Sequence, residues 1–192
     1  PGVDAFWWPR FERIAGWFID YERDRRTAGF RTVATEEDGK MEIDGPAGPF
    51  TLTARADRID RRADIGLAVM DYKTGQTPSW PQVKAHFSPQ LPLEAAIAEA
   101  GGFVNIDEAD VVQLVYLQLT GGRDPGKIRV LDKDVAETVN DALKGLQDMI
   151  TQYDDAAMPY LSEPRPMRLK SWGDYDHLAR VLEWRGRAED GE

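Results

Sequence analysis

The 192-residue sequence predicts an α/β fold in which several strands form one sheet and helices cover it. Residues 67–70 and 111–119 are almost entirely apolar, which is typical of strands buried on both faces of a sheet. Residues 6–26, 89–100 and 135–153 are rich in apolar side chains at helical spacing. These five segments together indicate helices packed on a central sheet.

The first helix is predicted over residues 6–26, because aromatic and aliphatic side chains form a wide apolar stripe along it. Pro9 suits the first turn of such a helix, and Gly29 follows its polar end. We expect the stripe to pack in the core, although a surface for an upstream domain is the alternative. The stripe consists of Phe6, Trp7, Phe11, Ile14, Ala15, Trp17, Phe18 and Tyr21.

Four consecutive strands are predicted next, because short runs that favour extended structure alternate with turns. Residues 36–40 are polar and predict a turn, whereas residues 45–49 contain two prolines and two glycines and predict a loop. Strict alternation in the third strand places Ala56 and Ile59 on opposite faces. Such strands form an antiparallel meander whose last member is the most buried. The four predicted strands span residues 30–34, 41–44, 50–60 and 67–73.

The second half of the chain predicts helices and strands in alternation. Residues 74–88 are predicted to be a connecting loop with a brief helical turn capped by Ser79, and Lys84 and His86 in this loop either contact phosphate or are simply solvated. Gly101 and Gly102 end the helix over residues 89–100. The later predicted elements are strands 111–119 and 127–131, a helix capped by Asp132 or Asp134 and ending near residue 153, an irregular stretch 158–172 and a helix 175–185.

Charged side chains cluster where two neighbouring predicted strands end. Side chains alternate along a strand, so Asp71 and Lys73 share one face and Tyr72 lies on the other. A turn between the two strands brings Asp57 towards Asp71 and Lys73, whereas Asp60 is out of phase and is predicted at the surface or in a turn. Two carboxylates and an ammonium group predict a site for a hard divalent cation, with a salt-bridged strand end as the alternative.

Four blocks of sequence follow one another along the chain: ARADRID at residues 54–60, DYKTG at 71–75, PQLPLEA at 89–95 and GGF at 101–103. In this order they resemble the C-terminal nuclease domain of AddB-type subunits of bacterial helicase-nucleases. These subunits are relatives of RecB and carry the nuclease core of the PD-(D/E)XK superfamily. The resemblance covers most of the chain from about residue 50 onward. The tail segments DHLAR at residues 176–180 and EW at 183–184 also match.

The resemblance implies a restriction-endonuclease-like core, with a central mixed sheet flanked by helices. It implies a single domain over residues 1–192 that forms the C-terminal part of a larger protein. The implied activity is that of a Mg²⁺-dependent deoxyribonuclease, an exonuclease in a helicase-nuclease complex that processes double-strand breaks for recombinational repair. Mn²⁺ is a second possible metal. The implied partners are DNA, single-stranded in our expectation, and an AddA-type helicase-nuclease subunit.

The residues for this chemistry lie on the matching blocks. Asp57 and Asp71 are expected to hold the metal together with the backbone carbonyl of Tyr72. Lys73 is expected to orient water or to stabilise charge in the transition state. Gln90 matches the glutamine of the family's Gln-x-x-x-Tyr motif and is expected to face the site.

The chain departs from the family pattern at two positions. Glu94 stands where the motif has its tyrosine, and it either orients Lys73 or a water at the metal, or pairs with an arginine. Relatives carry a metal-binding histidine on the N-terminal helix, but this helix contains none, which leaves Glu12 and Glu22 as substitutes. These departures favour an alternative function as a non-catalytic module that guides DNA or binds a partner subunit. A phage-type exonuclease is a further alternative.

Composition excludes several classes of site. The chain has no cysteine, which excludes a disulfide framework, a cysteine-ligated zinc site and an iron–sulfur cluster within it. No apolar run approaches the roughly 18–20 residues that span a membrane, and no signal peptide opens the chain, so we expect a cytoplasmic protein without membrane contact. The net charge of −10 argues against a general nucleic-acid binder and suits a nuclease to which a partner delivers DNA.

Overall fold

The computed structural model describes residues 2–160, and it describes side chains from residue 7 onward. Two compact units divide the chain, Pro1–Asp154 and Asp155–Glu192, and all the helices and strands below belong to the first. The helix predicted over residues 175–185 and most of the irregular stretch 158–172 lie outside the described residues. The elements are α1 (Gly2–Thr27), β1 (Phe30–Gly45), β2 (Gly48–Arg62), β3 (Gly66–Lys73), α2 (Trp80–Lys84), α3 (Gln90–Glu99), β4 (Val111–Leu119), β5 (Gly126–Leu131) and α4 (Val135–Tyr153).

The five strands form one mixed sheet in the order β1-β2-β3-β4-β5. The first three strands are antiparallel to one another, as the predicted meander requires. Strands β3 and β4 are parallel, and the crossover between them contains α2 and α3. Because parallel strands end at the same edge of a sheet, Lys73 and Gln118 are direct neighbours there. The predicted α/β fold with a mixed sheet and flanking helices is confirmed.

Each face of the sheet carries its own apolar cluster. Val69 of β3 and Leu114 of β4 pack with α3 and α4 on one face. Met70 and Val115, one residue later in each strand, pack on the other face with Tyr21 of α1. Because side chains alternate along a strand, successive residues of β3 therefore contact different helices. Strand β3 is covered on both faces, as its continuous apolar run predicted.

Helix α1 packs on the sheet through only part of its predicted apolar stripe. Trp17 and Phe18 contact the cluster around Tyr21, and Trp17 stacks on the Tyr21 ring. Trp7 and Phe11 of the stripe lie mostly exposed, so the prediction that the whole stripe packs in the core is wrong. The helix begins at Gly2, which places Pro9 inside it rather than in its first turn.

Strands β1 and β2 form a longer hairpin than the sequence predicted. One strand spans Phe30–Gly45, where two strands separated by a turn at residues 36–40 were predicted. The polar residues remain extended because β2 pairs with them along its length, from Gly48 to Arg62. Within the predicted turn, Glu36 adopts a left-handed conformation with φ of 51°, although the strand continues through it.

The β1–β2 pair is irregular near the start of β1. The register shifts between Thr32 and Ala34, two residues before the left-handed Glu36. In β2, Ile59 packs in the same apolar cluster as Ala56, so the prediction from strict alternation that they lie on opposite faces is wrong.

Helix α3 ends at a glycine pair, as predicted, and these residues also join it to β1. Gly101 has φ of +65°, and the Gly102 amide donates to the Ile97 carbonyl at 2.8 Å, which is a Schellman ending. The Lys40 amide of β1 in turn donates to the Gly102 carbonyl at 3.0 Å. None of the helices among residues 2–160 is long and apolar enough to cross a lipid bilayer.

Candidate active site

Asp71 and Lys73 lie side by side at the end of β3. The Lys73 Nζ atom lies 2.7 Å from Asp71 Oδ1, where it donates a hydrogen bond within an ion pair. Asp71 is 1% exposed, whereas the Lys73 side chain remains about one-third exposed. Tyr72 points to the opposite face, where its ring contacts Phe18 of α1. The acid and the amine therefore face α3, as strand alternation predicted.

Asp57 approaches this pair from the neighbouring strand. The β2–β3 register pairs Arg58 with Met70, so the next step towards the sheet edge sets Asp57 opposite Asp71. The backbone amide of Tyr72 donates to Asp57 Oδ2 at 2.8 Å. This hydrogen bond holds the Asp57 carboxylate against the backbone of Tyr72, the residue between Asp71 and Lys73 in β3.

Helix α3 contributes two polar side chains from its first turns. Gln90 accepts a long hydrogen bond from Lys73 Nζ through its Oε1 atom, at 3.4 Å. Its Nε2 atom donates to Glu94 Oε1 at 2.9 Å, because residues four apart share a helix face. A chain of contacts therefore runs from Asp71 through Lys73 and Gln90 to Glu94, and no described arginine pairs with Glu94.

The cluster holds more negative charge than its single amine neutralises. Burial, followed by the negative charges of Asp71 and Asp57, raises the pKa of the Glu94 carboxyl from 4.5 to about 7 against the opposing Gln90 hydrogen bond. Burial also raises the pKa of Asp71, while Lys73 lowers it. The buried Tyr116 hydroxyl has a raised pKa, first through burial and then through Asp71 and Glu94.

Two buried carboxylate oxygens in this cluster have no partner. Asp71 Oδ2 and Glu94 Oε2 accept no hydrogen bond from any described residue. Buried polar atoms normally find a partner, and carboxylate oxygens are the ligands that Mg²⁺ and Mn²⁺ prefer. Within residues 2–160, no three carboxylate or imidazole side chains are grouped tightly enough to enclose an ion by themselves. The donor set therefore fits a hard divalent cation that also takes water or backbone oxygen ligands.

The opposite face of the same strands carries a buried ion network that the sequence analysis missed. Asp60 was predicted at the surface or in a turn, but it is fully buried. It accepts hydrogen bonds from Arg58 at 2.6 and 3.1 Å and from Arg25 of α1 at 2.9 and 3.2 Å. Arg58 also pairs with Glu22 and donates to the Tyr72 hydroxyl at 3.3 Å.

A sequence signal for this network was available. Arg58 and Asp60 are two residues apart in a strand whose neighbours are apolar, so they share a face and can pair. Burial raises the cost of each charge, but the hydrogen bonds with Glu22 and Asp60 outweigh it and raise the pKa of Arg58. The network joins α1 to the strand that presents Asp57.

Four other candidate residues lie away from the cluster. Glu22 is engaged by Arg58 on the far face, and Glu12 accepts a hydrogen bond from Trp8 Nε1 on the exposed side of α1. Neither residue substitutes for the family's histidine. The His86 ring packs over Gly145 of α4, and Lys84 Nζ lies 3.7 Å from Asp134. These two contacts direct the loop side chains towards α4.

Comparisons with known proteins agree with this architecture. The family model described as the PD-(D/E)XK nuclease superfamily matches residues 3–165. An uncharacterized protein of Rickettsia felis is 24% identical over 195 residues, covering 85% of this chain and 22% of that protein. The uncharacterized protein RC0550 of Rickettsia conorii is 24% identical over 95 residues, covering 50% of this chain and 11% of its own.

The chain spans about a fifth of the length of the Rickettsia felis relative. Among solved structures, that of SSO0001 is similar with a TM-score of 0.38 and 17% identity. The similarity covers 67% of this chain and 55% of that one.

Proposed function

Because the chain belongs to the PD-(D/E)XK nuclease superfamily, we propose that it is a metal-dependent DNA nuclease with Asp57, Asp71, Lys73 and Gln90 as its catalytic residues. The observation that carries the proposal is the Asp71–Lys73 pair, whose buried acid keeps one oxygen without a partner. A salt-bridged strand end needs no such oxygen, whereas a cation site does.

The residues divide the work of phosphodiester hydrolysis. Asp57 and Asp71 would hold Mg²⁺ or Mn²⁺, together with the backbone carbonyl of Tyr72. The bound cation would neutralise charge on the phosphate and make a water more acidic. Asp57 is held in place by the Tyr72 amide, so its carboxylate needs little rearrangement to serve as a ligand.

Lys73 and Gln90 act on the substrate side of the cluster. The Lys73 ammonium group is partly exposed, so it can donate hydrogen bonds to a phosphate oxygen or orient the attacking water. Its position 2.7 Å from Asp71 Oδ1, at the partly exposed end of the cluster, suits charge stabilisation at a phosphate. Gln90 contacts Lys73 Nζ and limits its rotation, which keeps the amine directed at the sheet edge.

The acidic surface makes independent DNA capture weak. A net charge of −10 repels phosphates, so DNA has to be guided to the site by another protein surface. We therefore propose that this chain is the AddB-type nuclease domain of a longer helicase-nuclease subunit in the cytoplasm. An AddA-type partner would deliver unwound single strands during double-strand-break repair, and the domain would act as an exonuclease.

The test compares wild-type protein with Asp71→Asn in the assembled complex, using labelled single-stranded DNA and Mg²⁺. Asp71→Asn keeps the side-chain shape and removes the charge, so we expect cleavage to fall to background. Asp148→Asn is the matched control, because it removes an equivalent charge from an exposed pair on α4 and should leave cleavage unchanged. Equal cleavage by wild type and Asp71→Asn would support the non-catalytic alternative instead.

A further inference from the structure

Glu94 is a buried acid in a helix that otherwise serves the core. The residue is 2% exposed, and Leu91, Ala95 and Ile97 around it on α3 are completely buried. Placing a carboxylate in such a position is unfavourable unless a partner compensates for the lost hydration. An apolar side chain at this position would pack in the core without a polar partner. The carboxylate of Glu94 needs such a partner, and its apolar neighbours do not supply one.

The contacts of Glu94 account for only half of its carboxylate. Oε1 accepts the hydrogen bond from Gln90, but Oε2 accepts none from the described residues. Gln90 contacts Lys73, and Lys73 contacts Asp71, whose Oδ2 is the other buried oxygen without a partner. The two unpartnered oxygens thus belong to one contiguous cluster and lie at opposite ends of its hydrogen-bond chain.

We propose that Glu94 supplies a third carboxylate to the cation site, and that it contacts a hard divalent cation such as Mg²⁺ or Mn²⁺ through one ordered water. The assignment rests on the proposed metal-dependent function and extends it to a residue at which this chain departs from the family pattern. We place a water between Glu94 and the cation because no three of the described acids form a group that could hold an ion directly.

The contacts of the acidic side chains on α1 support the assignment of the third carboxylate to α3. The two acids of α1 that the sequence offered as substitutes for the histidine are occupied elsewhere, since Glu22 pairs with Arg58 behind the sheet and Glu12 contacts Trp8. Helix α3 instead packs on the face that Asp71 and Lys73 share. A third acid can therefore reach the site from α3, and Gln90 holds that acid in a fixed orientation.

The test measures binding of Mn²⁺ alone to the full chain by isothermal titration calorimetry. Outer contacts to a metal typically contribute 10–100-fold in affinity, so we expect Glu94→Gln to weaken Mn²⁺ binding about 10–100-fold. Glu94→Asp keeps the charge with a shorter side chain and should give an intermediate loss. Glu99→Gln is the control, because Glu99 lies on the same helix, contacts the Val111 amide and should bind Mn²⁺ as wild type does.

A purely structural role for Glu94 predicts a different set of results. If Glu94 only stabilises the fold, Glu94→Gln should lower the melting temperature of the metal-free protein and leave its affinity for Mn²⁺ unchanged. That result would overturn the proposal. Loss of binding in Asp71→Asn but unchanged binding in both Glu94 variants would overturn only the role of Glu94. Failure of the wild-type chain to bind Mn²⁺ would overturn the cation site and the proposed function together.

Discussion

The buried ion network around Asp60 makes a quantitative stability prediction. Asp60→Ala removes a fully buried carboxylate that accepts hydrogen bonds from two arginines. The substitution leaves Arg58 and Arg25 with a positive charge each in a poorly solvated environment. Removing one partner of a buried ion pair typically costs about 3–5 kcal/mol of folding free energy.

The remaining contacts place the expected cost near the lower end of that range. Arg58 keeps its pairing with Glu22, and Arg25 keeps a 2.8 Å hydrogen bond to the Gln113 amide oxygen and its packing over the Phe30 ring. We therefore expect Asp60→Ala to lower the free energy of unfolding by about 3 kcal/mol.

Urea denaturation followed by tryptophan fluorescence measures this loss, since unfolding exposes more of the tryptophan side chains to water. Asp20→Ala is the matched control, because Asp20 pairs with Arg23 at 2.9 Å while both side chains are about 70% exposed. An exposed pair contributes less than about 1 kcal/mol. If Asp60→Ala costs no more than Asp20→Ala, the buried network does not stabilise the fold and the reasoning is refuted.

Three further predictions concern the active site and its support. Lys73→Met should slow cleavage of single-stranded DNA by about 10²–10³-fold in single-turnover assays, because it removes a charged donor at the reacting phosphate; an unchanged rate would exclude that role. Gly39→Ala should destabilise the protein by about 1–3 kcal/mol in urea denaturation, because the added methyl group would lie 2.5 Å from the Phe103 ring; no effect would mean that the ring moves freely. Folding raises the pKa of Glu94 from 4.5 to about 7, so the folded state is favoured while this carboxyl is protonated. In EDTA, the contribution of Glu94 to the free energy of unfolding should therefore be fully present below pH 4.5 and should fall by roughly 3 kcal/mol as pH rises through 7. Glu94→Gln should abolish this fall, and a wild-type protein whose stability does not fall over that range would contradict the raised pKa.

Alternation and apolar runs were sufficient to predict the central strands and the main cluster. The run before Asp71 predicted a strand covered on both faces, and alternation placed Asp71 and Lys73 on the same side. These predictions succeeded because they depend on local backbone geometry, which a strand fixes within a few residues.

The errors arose where tertiary contacts override local signals. The polar residues around Glu36 are extended because β2 pairs with them, although their composition favours a turn. Asp60 is buried because Arg25, 35 residues earlier in the chain, packs against it. Part of the α1 stripe is exposed although its periodicity indicates burial throughout. Such partners are distant in sequence, so a reading of local pattern does not identify them.

The residue at position 94 illustrates the same limit within the site. The sequence left Glu94 to orient Lys73 or a water at the metal, or to pair with an arginine, because helical spacing fixes only that it shares a face with Gln90. The structure joins it to Gln90 and buries it, which excludes a described arginine as its partner.

The most direct test of the cation site is an anomalous diffraction map from crystals of the protein soaked with Mn²⁺. We expect one anomalous peak between the carboxylates of Asp57 and Asp71, with ordered density linking it to Glu94. The absence of a peak there at a saturating Mn²⁺ concentration, or a peak only at surface acids elsewhere, would contradict the assignment of a metal-dependent nuclease site to this sheet edge.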